Sequence, residues 1–102
     1  MEKKYDHIIK MENIMVNHEK TIKALQKILE ELDAHQEDYA ALTEYYYSEQ
    51  RFNDLEDDQN NKIPDDIKRG VLSEDGLYNL FQDTHETALD MMETALKLLK
   101  TT

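Results

Sequence analysis

The sequence predicts an all-α protein: an antiparallel helical bundle of three main helices with a short helical turn near Pro64–Arg69. Three observations predict it. Charged residues make up 34% and hydrophobic types 39% of the 102 residues, the balance expected of amphipathic helices. With 2 Gly and 1 Pro, the chain has too little turn chemistry for a sandwich or a barrel. Apolar residues recur at alternating three- and four-residue spacing in both the N-terminal and the C-terminal stretch. A chain of this length holds one core, so residues 1–102 read as a single helical domain.

The first helix is expected over residues 3–33. Ile8, Met11, Met15, Ile22, Leu25, Leu29 and Leu32 form its seam, and His18 takes the one polar place. The rhythm continues through Gln36, Tyr39, Thr43 and Tyr46 with polar residues at two of the four places, so a break is expected between Leu32 and Glu37. Asp33 would cap the next helix, with Gln36 completing a capping box. Without a break, the first helix and its extension would run about 65 Å at 1.5 Å per residue, a length that would require a dimer. The second stretch, Asp38 to about Asp58, presents Tyr39, Leu42, Tyr45, Tyr46, Phe52 and Leu55. Its phase slips at Tyr47-Ser48, where Ser48 followed by Glu49 reads as a new N-cap. Asp57–Lys62 reads as a loop. Pro64 at a first-turn position and Gly70 at a stop mark a single helical turn. Ser73 caps the last helix, residues 74–100, whose stripe is Leu77, Leu80, Phe81, Thr84, Ala88, Met91, Ala95 and Leu98. Gly76 in its first turn costs ~1 kcal/mol relative to Ala. The expected core is Ile8, Met15, Ile22, Leu25, Leu29, Leu32, Leu42, Leu77, Phe81, Ala88, Met91 and Leu98.

Net charge is −11, and it is concentrated in the middle third. Residues 30–66 hold 13 acids against Arg51 and Lys62, whereas residues 1–29 carry six Lys and four acids. Direct nucleic-acid binding needs a basic stripe, so that partner class is not expected. An acidic middle suits a basic protein partner, or simply a solvated face that keeps a small protein soluble. The absence of Cys excludes thiolate chemistry and disulfides and suits a reducing compartment. The longest apolar run, Tyr39-Ala40-Ala41-Leu42, is far short of the ~20 residues that span a bilayer. Met1–Asp6 has no apolar core behind its lysines, so no secretory signal is expected and the expected location is cytoplasmic.

No complete catalytic or metal set emerges. Di-metal helical bundles use Glu-x-x-His, but the residues three before His7, His18, His35 and His85 are Lys4, Met15, Leu32 and Gln82. The alternation Asp57, Gln59, Asn61 imitates a calcium loop, yet Lys62 and Lys68 stand where Gly and a bidentate Glu belong. Neither Gly70 nor Gly76 is followed by the Lys-Ser or Lys-Thr of a phosphate loop. Tyr45-Tyr46-Tyr47 covers about 200° of a helix at 100° per residue, so at least one ring must face solvent or a partner. Either two wedge into the core and the third is exposed, or the three form a recognition surface beside Arg51, Phe52 and Asp54. The methionines read as core filling.

The stretch Lys62-Ile63-Pro64-Asp65-Asp66-Ile67-Lys68-Arg69-Gly70-Val71-Leu72-Ser73-Glu74-Asp75-Gly76-Leu77-Tyr78, with Tyr45-Tyr46, Ser48-Glu49 and Asp54-Leu55-Glu56, resembles a known family. It is a family of small bacterial proteins, mostly from Gram-positive species, catalogued as domain of unknown function 4298. The resemblance covers nearly the whole chain. This sequence departs from the family pattern at Tyr47, where Gly is usual, and at Arg51, where Trp is usual. The Gly preference implies a helix end at Tyr47. No activity comes with the family. The leading expectation is therefore a non-enzymatic protein–protein interaction module with no cofactor and no metal, whose partner is a basic protein or a second copy of the chain. Its candidate surface is Tyr45, Tyr46, Tyr47, Phe52, Asp54, Asp57, Asp58 and Arg69. The rival is a small ligand-binding or enzymatic module with a pocket around Tyr45, Tyr46, Asp54 and Arg69.

Overall fold

No Gly or Pro interrupts the first stripe, and Asp6–Ala34 forms one helix, α1, in the computed structural model, which describes residues 4–101. The expectations for Met1–Lys3 lie outside the described residues. α1 ends at His35, with φ −95° and ψ 6°. The His35 N–H still reaches the Glu31 carbonyl at 3.1 Å, and its own carbonyl accepts from the Tyr39 N–H at 2.9 Å. The hydrogen-bond ladder therefore passes through a one-residue interruption, and α2 (Gln36–Tyr46) begins at once. The break falls in the expected window, but Asp33 is not its cap. It lies inside the last turn of α1, where the continuing ladder leaves a cap little to do.

At the next junction a cap is needed and present. Tyr47 leaves the helix, Ser48 is extended (φ −85°, ψ 156°), and its Oγ accepts from the Arg51 N–H at 3.1 Å, opening α3 (Glu49–Gln59). α3 runs farther than expected and takes in Asp57, Asp58 and Gln59. It closes on Asn60 and Asn61, where Asn61 takes φ 56°. The Lys62 N–H bonds to the Asp57 carbonyl at 2.9 Å and the Asn61 N–H to the Asp58 carbonyl at 3.2 Å, the two bonds of a Schellman stop. The calcium-like alternation is thus the end of a helix.

The short helical turn lies later than expected. Pro64 closes a single turn by accepting from the Ile67 N–H at 3.1 Å, and the 3-10 turn forms at Gly70–Leu72. Gly as a helix stop works through a left-handed backbone, and no described Gly has positive φ, so Gly70 opens the short helix instead of ending it. Ser73 then caps as expected: its Oγ accepts from the Gly76 N–H at 3.1 Å while donating to the Gly70 carbonyl at 2.8 Å. One hydroxyl closes the 3-10 turn and opens α4 (Gly76–Thr101).

All described regular structure is helical. The chain divides into two compact units, the first reaching Leu42 and the second starting at Thr43. In the second, Leu72 and Leu77 are buried, and Tyr46, Leu55, Ile63, Phe81 and Thr84 are half-buried around them. In the first, no residue of α1 is buried. The expected core is corrected accordingly. Leu77 is buried and Ile22, Leu42 and Phe81 are half-buried, but Ala88 is exposed, and Ile8, Met15, Leu25, Leu29, Leu32, Met91 and Leu98 are 39–55% exposed. Amphipathic spacing selects the face that gains from burial; it does not supply the surface that buries it. Among the described residues no helix is long and apolar enough to cross a membrane.

Candidate functional site

The residues singled out by sequence lie on the end of α2 and on α3, and the Ser48 restart decides which of them meet. Turning the chain at Tyr47-Ser48 folds α3 so that the Tyr45 hydroxyl donates to Asp54 Oδ2 at 2.6 Å. Gln50 Nε2 donates to Asp54 Oδ1 at 2.9 Å from one turn away. Both carboxylate oxygens are therefore occupied. Partial burial and then the Asp54 hydrogen bond push the Tyr45 phenol up to about 12, while the hydrogen bonds from Tyr45 and Gln50 hold the Asp54 carboxyl below its usual range. Both groups move away from neutrality, opposite to what a general acid or base working near pH 7 requires.

Tyr46 has a different neighbourhood. Its ring meets Phe81 of α4 edge-on at 5.4 Å and Tyr47 edge-on at 4.9 Å. The Arg51 guanidinium lies 4.7 Å from the Tyr46 ring centre, and Arg51 Nε donates to the Val71 carbonyl at 3.3 Å. Arg51 thus ties α3 both to an aromatic face and to the 3-10 turn. Nearby, Arg69 Nη1 meets Asp58 Oδ1 at 3.1 Å, and both side chains are about one-third exposed, so the pair contributes modestly. Tyr45 and Tyr46 are half-buried, whereas Tyr47 is 81% and Phe52 63% exposed, and Asp57 is exposed on the last turn of α3. Of the eight predicted residues, the structure joins Tyr45 to Asp54, Asp58 to Arg69 and Tyr46 to Tyr47.

An open cavity of about 390 Å³ lies beside this cluster, lined by Arg51, Leu55, Asp58, Gln59, Leu72 and Glu74. It contains none of the four residues around which the sequence placed a pocket. Tyr45 and Asp54 are engaged with each other, Tyr46 with Phe81, and Arg69 with Asp58. Its apolar floor of Leu55 and Leu72 carries a guanidinium and two carboxylates, with no Ser, Thr, Cys or His in its lining. Arg51 was expected beside the tyrosine surface, but not as a residue stacked on Tyr46 and bonded to Val71. The signal available was its place one turn beyond the Ser48 cap, where it can reach back over Tyr46.

A family model described as Domain of unknown function (DUF4298) matches residues 8–94. The chain belongs to the DUF4298 family. The match begins at the first seam residue of α1 and ends within α4, so the Tyr45–Asp54 pair, the Arg51 stack and the double Ser73 cap all lie inside the DUF4298 region. The helix end that the resemblance implied at Tyr47 falls directly after the last residue of α2, Tyr46. No curated protein and no solved structure matches the chain.

Proposed function

We propose that this DUF4298 protein is a non-enzymatic protein–protein interaction module whose long helices complete an antiparallel bundle on assembly. One observation carries the reading: the apolar stripe of α1 has no buried residue along its 29-residue length. Apolar surface left in water forfeits about 25 cal/mol per Å², and contiguous patches of this kind mark interaction sites. The opposed displacement of Tyr45 and Asp54 from neutrality supports a structural hydrogen bond in place of acid–base chemistry. The acidic segment adds a charged face. Asp54 and Asp58 are turned onto Tyr45 and Arg69, so Glu56, Asp57, Asp65 and Asp66, all exposed, present the charge that a basic partner would meet. A cysteine-free chain suits a cytoplasmic setting.

The test places a photo-cross-linking residue at Leu25 or Leu96 on the apolar faces, and at Lys20 or Glu86 as controls, in living cells. The expected result is adducts of discrete mass from the first pair and little from the second. Adducts from neither apolar position would refute the reading.

A further inference from the structure

α3 turns toward its neighbours a stripe that is mostly polar. Arg51, Asp54, Leu55 and Asp58 stand at i, i+3, i+4 and i+7 and so share one face of the helix. Each polar member makes a link to a residue outside α3: Asp54 Oδ2 accepts from the Tyr45 hydroxyl at 2.6 Å, Arg51 Nε donates to the Val71 carbonyl at 3.3 Å, and Asp58 Oδ1 meets Arg69 Nη1 at 3.1 Å. Apolar packing adds little. Leu55 is half-buried, Phe52, the other apolar residue of α3, is 63% exposed, and the helix has no buried residue. The open cavity of about 390 Å³ is lined on one side by this stripe and on the other by Leu72 and Glu74, where a filled interface would leave no such space.

With 11 residues, α3 is shorter than the ~12–15 at which an isolated helix becomes marginally stable in water, so it is helical only while its neighbours hold it. Partly exposed polar links each contribute little, and the strong term, apolar burial, is nearly missing. α4 is differently placed: it has 26 residues and carries Leu77, one of the two buried hydrophobic side chains among the described residues. The 3-10 turn that carries the other, Leu72, lies against both helices. We propose that α3 is a releasable strap, which swings off the 3-10 turn as one unit while α4 stays helical, and in doing so lays Leu72 open. The backbone supplies its two hinges, since Ser48 is already extended at ψ 156° and Asn61 already left-handed at φ 56°. The strap depends on α3 and its immediate neighbours alone and is independent of the interaction reading above.

Native-state hydrogen exchange of the full chain, followed at rising but sub-denaturing urea, tests the strap. The Asn53–Gln59 amides should exchange at least ~10-fold faster than those of Leu80–Asp90. Their urea dependence should also be shallower, because opening the strap exposes less surface than unfolding the chain. Two substitutions outside α3 separate the events. Tyr45→Phe removes one link without altering the helix itself and should quicken α3 exchange at least ~3-fold. Ala88→Gly weakens α4, which is helical whether the strap is closed or open, and should quicken exchange in Leu80–Asp90 by ~5-fold while leaving α3 unchanged. Wild-type α3 amides protected as well as those of α4, or with an equal urea dependence, overturn the proposal. So does Ala88→Gly quickening both helices alike, or Tyr45→Phe leaving α3 exchange as it was. The wild-type comparison decides by itself should either variant fail to fold.

Discussion

At Gly76 the requirement for a missing side chain comes from the neighbours and not from a left-handed backbone. A Cβ there would collide with Ser73 Oγ and stand 2.8 Å from the Gly70 carbonyl, whereas at Gly70 nothing lies within 4 Å. Overpacking costs about 1–3 kcal/mol, against ~1 kcal/mol of helix propensity gained from Ala. Gly76→Ala is therefore expected to lower the Tm and Gly70→Ala to leave it unchanged or slightly higher, a contrast that thermal melts will resolve. Tyr45 and Asp54 make a second prediction. Asp54 is lowered, so its bond stabilises the fold above the ordinary carboxyl value of 3.8 and the benefit is lost as pH falls through the folded value. Tyr45 is raised from 10.0 to about 12, so its contribution is complete below 10 and disappears as pH rises through 12. Tyr45→Phe should thus be less stable than wild type across the neutral range, with the gap closing at both extremes; a pH-independent gap in denaturant midpoints would refute the assignment.

Helix ends divide into those a side chain announces and those the backbone makes alone. Ser48 and Ser73 were legible because a hydroxyl followed by an acid suits the free N–H groups and the positive dipole end of a following first turn. Ser48→Ala should cost about 1 kcal/mol in chemical denaturation. The stop at Asn61 was not legible as a Schellman motif, because Asn tolerates the left-handed region without demanding it and Asn60 beside it was an equal candidate. With Asn61 at φ 56°, Asn61→Ala should destabilise by ~1 kcal/mol and Asn61→Gly should not, as equilibrium unfolding of the pair will show. The turn at Pro64–Arg69 was misplaced for a related reason: Gly70 suits both a stop and an entry, and only its backbone angles decide. The helices that carry the apolar stripes were read correctly, whereas the burial expected of most stripe residues was not. What buries them is a property of surfaces beyond the helix, and no periodicity encodes that. The same limit applied at the site, where Tyr45 and Asp54 were both chosen but their pairing, and the role of Arg51, depended on how sharply the chain turns at Ser48.

At the scale of the molecule, most of the −11 charge lies in residues 30–66. The acids Asp54 and Asp58 belong to the fold, so neutralising them would loosen it. Neutralising Glu56, Asp57, Asp65 and Asp66 instead should raise the Tm at low salt, and the gain should shrink near 1 M salt, where screening acts within about 3 Å. A gain that persists at high salt would point to a cause other than repulsion. The bare stripe of α1 also has a consequence in time. Its hydrogen bonds join residues four apart, so the helix can form in about 0.1–1 μs, before any partner arrives. On the interaction reading proposed above, encounter at 10⁵–10⁷ M⁻¹s⁻¹ takes about 0.1–10 s at 1 μM partner. After each synthesis or unfolding event, α1 would then wait some 10⁵-fold or more longer than it takes to form, its apolar face open to whichever surface reaches it first, and the concentration of that partner would set how long the interval lasts.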